Sequence, residues 1–444
     1  MSVVDSTKLS KSMVTLIPAI LISLTPISVN LRQGESQQFA ATVSGTTNQA
    51  VNWSLNPAVG TLSTSGRYTA PATLPTAQTV TVTAQSAADP NRLAMGVVSL
   101  QTTPVVNQWS MGYWSPALPL AAIQWTGLTH IIHCAVLVKP DGTLDLSGIS
   151  ADAATLVAAA HAHNVKALVL LGQPGLLGHT TNLDQAITNQ LSTLVASIMT
   201  VVNTYGYDGV DIDWEPFVAA TSGAHMKSLA AALRTALGSK FLTAAIGGYN
   251  SISYWGANHS SFDRLNVMTY NMIEPSYEYL WFNSALYNQD PDYGSLALAI
   301  TDYTTVGVPA AKLGLGLAFY GWKFTGGVLA SDPSQGISGP RQARVKGQEP
   351  TQAEMSYKDI VPLITQDNYH WDPLAVVPYI NHLCSTPQDY WYITYDDPQS
   401  IEAKVRYIVA QNLGGWIIWG LWDDYLPGDP HPHPLLDAVA AASR

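Results

Sequence analysis

An acidic run lies between Tyr207 and Glu215, where carboxylates alternate with apolar residues in the order Tyr-Asp-Gly-Val-Asp-Ile-Asp-Trp-Glu. Successive side chains of a strand point to opposite faces, so Asp211, Asp213 and Glu215 are predicted to share one face. Asp208 is out of phase with them, and we expect it to be structural. Three carboxyl groups at close range cannot all ionise at low cost, so mutual repulsion is expected to raise at least one pKa. A carboxyl with a raised pKa suits general acid catalysis.

Metal binding is the main alternative use of such an acidic run. A calcium loop of the D-x-D-x-D-G type would require glycine where Pro216 stands. Such a loop would also not interleave the apolar Val210, Ile212 and Trp214. A solvated charge run would not lie within an apolar strand. A magnesium site formed by the same carboxylates stays open as an alternative to acid catalysis.

The region from Asn107 onward contains the elements that must position these carboxylates. The strand candidates are Trp109–Tyr113, His130–Leu137, Lys166–Gly172, Gly206–Trp214, Phe241–Gly247, Leu265–Tyr270, Lys312–Tyr320 and Gly414–Gly420. The helix candidates between them include Asp152–His163, Asp184–Tyr205, Gly223–Leu237 and Pro398–Gln411. Continuously apolar strands are typical of a parallel sheet covered on both faces. Eight strand–helix units predict an α/β fold, a (β/α)8 TIM barrel.

Barrel active sites lie at the carboxyl ends of the strands. The acidic run would therefore direct Asp211 and Asp213 into the barrel and place Glu215 at its mouth. The stretch from about Trp322 to Tyr395 is too long for one loop. We expect it to form a small α+β insertion, at about residues 323–394, after strand seven of a domain spanning 107–444.

Residues 17–103 follow a different pattern, rich in Thr, Ser, Val, Ala and Gln. Their short alternating runs, separated by turn residues, predict an all-β sandwich. These runs are Ser28–Leu31, Ser36–Val43, Ala50–Leu55 and Thr79–Gln85. The segments that resemble bacterial Ig-like domains of group 2 are Gly34–Phe39, Val51–Ser54, Gly60–Ser63 and Gly66–Pro71. Trp53 is expected in the core of this module, which has no catalytic residue set and is interpreted as a spacer or adhesion domain.

The composition of the 444 residues argues against several classes of partner. The 20 Lys and Arg against 31 Asp and Glu give a formal net charge of −11, which disfavours nucleic acid and anionic membrane surfaces. No apolar run is long enough to predict membrane insertion. The 13 Trp and 21 Tyr, with charged residues at only 11%, suit a neutral, stackable ligand such as a sugar chain.

The N-terminal segment, residues 1–16, gives no clear signal peptide. Met13–Leu24 lies behind Lys8 and Lys11 and resembles an apolar signal region, but no small-residue cleavage site follows it. We instead interpret Ala19–Leu24 as the first strand of the β domain. Any export is therefore inferred from the substrate class rather than from this segment.

The cysteines and histidines do not indicate a metal site. Cys134 and Cys384 cannot form a disulfide framework, and no Cys/His spacing suggests structural zinc. Cys134 lies in an apolar run, which predicts a buried thiol. His431 and His433 could bind a metal, although a solvated linker is the simpler interpretation.

Several segments together resemble glycoside hydrolase family 18, the chitinases and their relatives. The family signature D-x-x-D-x-D-x-E is matched by Asp208, Asp211, Asp213 and Glu215. Further similar segments are Gly112–Tyr113, Met268–Tyr270, Gly316–Gly321, Tyr395–Ser400, Lys404, Gly414–Gly415 and Trp419, together with Trp371–Asp372 and Pro378–Tyr379 of a subfamily insertion. The resemblance covers nearly all of residues 107–444.

The resemblance implies substrate-assisted retaining hydrolysis, a named exception to the two-carboxylate scheme. Glu215 would protonate the glycosidic oxygen, and the sugar's own 2-acetamido oxygen would attack C1 to give an oxazolinium ion. Asp213 would orient the acetamido N–H, Asp211 would share a proton with Asp213, and Tyr270 would bond the acetamido oxygen. No cofactor or metal is implied, because the acetamido group supplies the nucleophile.

The resemblance also implies a set of substrate-binding residues. Trp419 matches the tryptophan beneath the distorted sugar, and its alternative is a core aromatic on strand eight. The other substrate-binding residues assigned in this way are Tyr113, Met268, Asn271, Tyr320 and Trp322. Trp322 lies near a candidate loop, as do three further tryptophans, and each of the four is as compatible with packing as with sugar stacking; the other three are Trp114, Trp281 and Trp422.

Three positions depart from the family pattern. Asn271 replaces an Asp of the sixth strand, which could shift the pH optimum. Leu170–Gln173 replaces a family segment whose Ser helps to hold the Asp that corresponds to Asp211. Without this Ser, Tyr113 alone or a water would hold Asp211. The second-strand aromatic is replaced near His133, which we interpret as a hydrogen-bonded core histidine rather than a residue of the barrel floor.

The leading prediction is a secreted or cell-surface chitinase that acts as a monomer on chitin or chitooligosaccharides. The alternatives are an endo-β-N-acetylglucosaminidase acting on N-glycans and a non-catalytic, chitin-binding lectin on an Ig-like stalk. Trp419 and the insertion favour chitin over N-glycans. The presence of Glu215 favours an enzyme over a lectin.

Overall fold

The computed structural model describes residues 20–443 except 32–33, 72–73, 75–77, 101–107, 173–176, 274–278 and 289–292, with backbone alone at 177–180. The chain divides into two compact units, Met1–Val105 and Val106–Arg444. The predicted segment 1–16, the boundary between residues 103 and 107, and Gln173 lie outside the described residues.

The first unit is formed by β-strands in its described part. These are β1 (Leu21–Thr25), β2 (Ser28–Leu31), β3 (Ser36–Gln38), β4 (Ala40–Ser44), β5 (Val51–Asn56), β6 (Thr61–Leu62), β7 (Arg67–Thr69), β8 (Gln78–Ser86) and β9 (Leu93–Leu100). They form sheets in the orders β2-β9-β8-β5, β3-β7-β6 and β1-β4. The predicted all-β character is confirmed, while the assignment to the Ig-like class stays a prediction.

The core of the first unit has Phe39, Tyr68 and the alternate residues of β8 at its centre. The expectation for Trp53 needs correction, because its ring is only partly buried and packs against this core. The alternation of β5 explains the difference, since both faces of that strand retain some exposure.

The second unit begins with seven strands of a barrel and one two-residue strand, Leu144–Asp145, which pairs antiparallel with its neighbour. They are β10 (Trp109–Trp114), β11 (His130–Val138), β12 (Leu144–Asp145), β13 (Lys166–Leu171), β14 (Gly209–Asp213), β15 (Phe241–Gly247), β16 (Arg264–Met268) and β17 (Leu313–Ala318). The helices among them are α1 (Ala153–Ala162), α2 (Leu177–Tyr205), α3 (Ala219–Leu237), α4 (Ile252–Asn258) and α5 (Leu296–Thr305). A 3₁₀ turn at Leu120–Ala122, rather than an α-helix, follows β10.

An insertion follows β17, and the barrel closes after it. The insertion contains β18 (Tyr320–Thr325), β19 (Thr351–Ser356), α6 (Tyr357–Ile360), β20 (Tyr369–Asp372), β21 (Val377–His382) and β22 (Trp391–Thr394), with the sheet order β19-β18-β22-β21-β20. The closing elements are α7 (Pro398–Ala410), β23 (Gly415–Trp419) and α8 (Pro434–Ala442). The order β10-β11-β13-β14-β15-β16-β17-β23, with β23 paired to β10, is the predicted closed barrel of eight parallel strands.

Two apolar layers hold the barrel strands in place. Outward side chains such as Val210 and Ile212 of β14 are fully buried in the large core shared with the helices. Burial of each such side chain stabilises the fold by roughly 1.5–3 kcal/mol. A smaller inner layer includes Met111, Leu168 and Ile417. Most inward positions are therefore packed, and only the polar ones at the mouth are available for chemistry.

Candidate active site

The side chains of the acidic run alternate between the two faces of β14, as the sequence pattern predicts. Asp211 and Asp213 point into the barrel and are 0% and 2% exposed. Glu215 follows two residues beyond the strand end and is partly exposed at the mouth. Gly209 begins the strand where a Cβ atom would lie only 2.3 Å from the carbonyl oxygen of Phe241, so the close approach of β15 requires glycine.

Asp208 lies before this strand and outside the group. Its Oδ2 accepts from the backbone N–H of Ala167 at 2.9 Å and lies 2.7 Å from Nε2 of His161. Its Oδ1 accepts from Lys166 Nζ at 3.1 Å. These contacts tie β14 to the preceding strand and helix, which is the structural role expected from its phase.

Three side chains donate hydrogen bonds to Asp211. Tyr113 donates through its hydroxyl to Oδ2 at 2.8 Å, as the sequence suggested. Thr243 on β15 and Asn266 on β16 both donate to Oδ1, the second of them at 3.0 Å. Leu170 on β13 is buried and apolar, so the hydrogen bonds that the family segment was expected to supply come instead from β15, the neighbour of β14 on its other side, and from the next strand, β16.

Burial is the main cause of the pKa shifts in the acidic group. Loss of water raises the pKa of Asp211 to about 6, against the opposing effect of its three hydrogen bonds. The pKa of Asp213 is raised well above its ordinary value, first by burial and then by the charges of Glu215 and Asp211. Burial also raises the pKa of Glu215. Mutual repulsion, which we expected to be the cause, is secondary.

A cavity of about 370 Å³, the central cavity, opens at the barrel mouth above these carboxyl groups. Its walls contain eight of the ten predicted site residues: Tyr113, Asp213, Glu215, Met268, Tyr270, Asn271, Tyr320 and Trp419. Asp211 lies behind Asp213, and Trp322 reaches the wall through a hydrogen bond to Asn271. Asp213 Oδ1 is buried and has no hydrogen-bond partner among the residues that the structure describes.

Tyr270 lies beside the acidic group, and the absence of a side chain at Gly316 leaves room for its ring. A Cβ atom at Gly316 would lie 2.6 Å from Cε1 of Tyr270, so glycine at this position of β17 makes room for the ring. Tyr320 packs edge-to-face against Tyr270 with ring centroids 5.9 Å apart. Burial, followed by the charges of Glu215 and Asp213, raises the pKa of Tyr270. Its hydroxyl therefore keeps its proton and is a hydrogen-bond donor.

Asn271 forms the side of the cavity next to the insertion. Its Oδ1 accepts two hydrogen bonds of 2.8 Å, from the hydroxyl of Tyr320 and from Nε1 of Trp322. Its backbone N–H donates to Oδ1 of the fully buried Asn283 at 2.9 Å. Asn283 could not be anticipated from the sequence, because a polar residue in a loop carries no periodic signal.

Two further cavities share walls with the central one. The Trp214 cavity, of about 340 Å³, is lined by Trp214, Phe217 and Trp255 and shares Glu215 with the central cavity. The Trp422 cavity, of about 520 Å³, lies on the other side and shares Trp419. The three form a cleft across the barrel mouth, with Glu215 and Trp419 at its two internal boundaries.

The other tryptophans singled out in the sequence fall into two groups. Trp114 and Trp281 are buried and donate through Nε1 to the backbone carbonyls of Leu118 and Gly294. They are packing residues. Trp422 is partly exposed, lines the Trp422 cavity and packs edge-to-face against Trp419 at 5.3 Å.

The two remaining candidates of the second strand also differ from each other. His133 is fully buried, and its Nδ1 lies 2.6 Å from the hydroxyl of Tyr207. Burial lowers the pKa of His133 to about 4, so it is the core histidine that was expected. Cys134 was predicted to be buried, but it is only partly buried and lines the Trp422 cavity. It lies where the pairing of β11 with β13 shifts register, between His133 and Val136.

The sequence of residues 108–424 matches the family model described as glycosyl hydrolases family 18. The chain belongs to this family. The family 18 region contains all eight barrel strands and the insertion. This result confirms the resemblance on which the sequence-based prediction relied.

Curated relatives of this family 18 chain are similar over about half of its length. Chitotriosidase-1 of Mus musculus is 28% identical over 281 residues, which cover 56% of this chain and 57% of that protein. Chitinase B of Serratia marcescens is 27% identical over 295 residues, which cover 52% of this chain and 58% of that protein. The chain thus spans less than two thirds of these relatives.

Solved structures of similar fold include a chitinase and a chitinase-like agglutinin. A mutant of the Class V chitinase from Nicotiana tobaccum, in complex with NAG4, has a TM-score of 0.63 at 21% identity, over 76% of this chain and 99% of the other. The chitinase-like agglutinin from Robinia pseudoacacia has a TM-score of 0.61 at 26% identity, over 75% and 99%.

Among the described residues, no group of three or more His, Cys, Asp or Glu side chains is arranged to hold a metal ion. No helix in the described ranges is both long and apolar enough to cross a membrane.

One acidic residue of the central cavity was not anticipated. Glu354 of the insertion strand β19 lines the cavity and lies opposite Trp322 in the register of β18 and β19. Burial raises its pKa. Its contribution depends on the folding of the insertion over the barrel mouth, and the local sequence around Glu354 gives no sign of it.

Proposed function

We propose that this family 18 protein is a chitinase, which hydrolyses β-1,4-linked N-acetylglucosamine chains by substrate-assisted retaining catalysis. The observation that carries the proposal is the position of Glu215, which lines both the central cavity and the Trp214 cavity. A glycosidic oxygen between sugars bound in these two cavities would lie beside this carboxyl. The raised pKa of Glu215 keeps a proton available for the leaving oxygen.

In this proposal Asp213 serves the acetamido group of the sugar in the central cavity. Its buried Oδ1, without a partner in the described part of the chain, is free to accept the acetamido N–H. That bond would direct the acetamido oxygen towards C1 and stabilise the positive charge of the oxazolinium ion. The Tyr270 hydroxyl, which keeps its proton, would donate to the acetamido oxygen.

Asp211 would alter the protonation of Asp213 and would not contact the sugar. The two carboxyl groups lie on the same face of one strand, and both pKa values are raised. Such a pair titrates as a unit, so a proton held between them can move to Asp211 as positive charge develops beside Asp213. After the leaving group departs, Glu215 would act as the base that activates water, and the β-anomer would be released.

A non-catalytic lectin is the second candidate, and the likeness to the Robinia agglutinin is the observation that favours it. The retained acid Glu215 argues for the enzyme. An endo-β-N-acetylglucosaminidase would use the same acidic group, but the cleft has aromatic residues on both sides of the central cavity, which suits a linear chain. We propose that the protein acts as a monomer, outside the cell where chitin occurs, with the first unit as an Ig-like spacer.

Three substrates separate these candidates. Incubation with N-acetylglucosamine hexamer, with a high-mannose glycoprotein and with insoluble chitin would be followed by chromatography of the products. The chitinase proposal predicts shorter N-acetylglucosamine oligomers from the hexamer. Release of intact glycan without hexamer cleavage would indicate the glycan-directed enzyme, and chitin binding without any cleavage would indicate the lectin.

A further inference from the structure

The orientation of the Asn271 amide is decided by one neighbouring group. The indole Nε1–H of Trp322 can only donate a hydrogen bond, so the Asn271 atom 2.8 Å from it must be the oxygen. The hydroxyl of Tyr320, also 2.8 Å from this oxygen, then donates as well. Both strong acceptor positions of Oδ1 are thus occupied by protein donors.

The amide nitrogen of Asn271 is left for a ligand. Nδ2 has no hydrogen-bond partner among the residues that the structure describes, and Asn271 lines the central cavity. The backbone around it is fixed, because Asn271 has a left-handed φ of 56° and its N–H donates to Oδ1 of buried Asn283. Asn283 is fixed in turn by Thr394 Oγ1, which accepts from its backbone N–H at 3.0 Å.

Donors that face the central cavity are scarce, whereas acceptors are common. The carboxyl groups of Asp213, Glu215 and Glu354 line it and accept hydrogen bonds when ionised. The hydroxyls of Tyr113 and Tyr320 also line it, but they donate to other protein groups. Together with the Tyr270 hydroxyl, which is assigned to the acetamido oxygen, the Nδ2 group of Asn271 is therefore one of the few donors in a wall whose other polar groups are mainly acceptors.

We propose that Asn271 binds the substrate only as a hydrogen-bond donor, and that it recognises the carbonyl oxygen of an N-acetyl group, an atom that can only accept a hydrogen bond. An aspartate at this position would offer an acceptor instead. Trp322 and Tyr320 determine this polarity, and Asn283 is a positioning residue that holds Asn271 in place. The inference rests on the proposed function, because it takes a sugar to occupy the central cavity.

Calorimetric binding of N-acetylglucosamine tetramer to the full-length Glu215→Gln protein tests the polarity without turnover. Asn271→Ala removes the donor, and we expect about 5- to 10-fold weaker binding. Asn271→Asp keeps an oxygen for Trp322 and Tyr320 but points an acceptor at the sugar oxygen, so about 30-fold or greater weakening is expected. The tetramer is neutral, so the added charge alone has little effect. Unchanged binding by Asn271→Asp, or binding tighter than that of Asn271→Ala, would overturn the inference.

The role of Asn283 is tested in the same assay by a double-mutant cycle. Asn283→Ala should weaken binding several-fold in the Glu215→Gln protein, but it should have little further effect when Asn271 is already alanine. Equal losses in both backgrounds would contradict a role through Asn271. Failure of the Glu215→Gln protein to bind the tetramer would overturn both the proposed function and this inference, whereas tight binding with equal affinities for all variants would overturn the inference alone.

Discussion

Asn266 Nδ2 donates to Asp211 Oδ1 over 3.0 Å inside the barrel, so the sixth barrel strand holds a carboxyl group of the fourth. Thr243 on the fifth strand and Tyr113 on the first complete the set of donors. These bonds favour the charged carboxylate, whereas burial favours the neutral acid. Their balance raises the pKa of Asp211 only to about 6, which keeps the group able to take or release a proton near neutral pH.

Asp211→Asn is expected to stabilise the protein at neutral pH. The pKa of Asp211 in the folded protein, about 6, lies above its ordinary 3.8. The folded state therefore holds a proton that the unfolded state loses, and stability falls as pH rises through this window, by up to about 3 kcal/mol. Asparagine avoids this loss, because its oxygen accepts from Thr243 and Asn266 and its Nδ2 donates to the Tyr113 hydroxyl.

Calorimetric melting from about pH 4 to about pH 8 measures this effect. Asp211→Asn should melt above the wild type at the alkaline end of this range and close to it at the acid end. Asp208→Asn is the matched control, because hydrogen bonds and Lys166 lower the pKa of Asp208. Its stabilising effect is present above the ordinary pKa and is lost in acid, so this variant should melt below the wild type at the alkaline end. A destabilised Asp211→Asn protein there would contradict the account of Asp211.

Tyr270→Phe is expected to lower kcat on N-acetylglucosamine hexamer by about 10- to 100-fold with a small change in KM. The hydroxyl is assigned to the acetamido oxygen as it becomes the nucleophile, so its effect belongs to the transition state. Tyr68→Phe is the control, since its hydroxyl donates to the Val59 carbonyl within the first unit. It should reduce stability and leave kcat unchanged. An unaltered kcat for Tyr270→Phe would exclude the assigned role.

The barrel could be predicted because its strands are short, continuously apolar and separated by helical stretches, so all eight were found near their true ends. The alternation of side chains along β14 was enough to predict that Asp211 and Asp213 share its inner face. Thr243 and Asn266 were missed, because a single polar residue in an apolar strand looks the same whether it binds a carboxyl or a backbone group. Glu354 was missed for another reason: it reaches the cavity only through the fold of the insertion.

Trp419→Ala is expected to weaken binding of the tetramer by about 10- to 100-fold, with the fold retained, because loss of a contact aromatic commonly has an effect of this size. Trp419 forms the wall between the central and Trp422 cavities and is only partly buried. Trp281→Ala is the contrasting variant, because the Trp281 ring is buried and stacks on the Tyr293 ring with centroids 4.8 Å apart. This substitution should lower the melting temperature instead. Unchanged binding by Trp419→Ala would assign Trp419 to packing.

Removal of residues up to about 103 is expected to leave hydrolysis of short soluble substrates intact. The two units have separate hydrophobic cores, and the central cavity is lined by residues of the second unit. Initial rates on the hexamer, with circular dichroism to verify folding, measure the effect. A large loss of turnover in a folded truncated protein would show that the first unit contributes to the site.

The central claim is that Glu215 is the acid of a retaining hydrolase. The most direct test follows the wild type and Glu215→Gln with N-acetylglucosamine hexamer, with products and their anomers read by NMR at early times. Rapid cleavage by the wild type into products with β-anomeric new ends, and a loss of at least about 1,000-fold in Glu215→Gln, is the predicted result. Comparable cleavage by both proteins, or α-anomeric new ends from the wild type, would contradict the account.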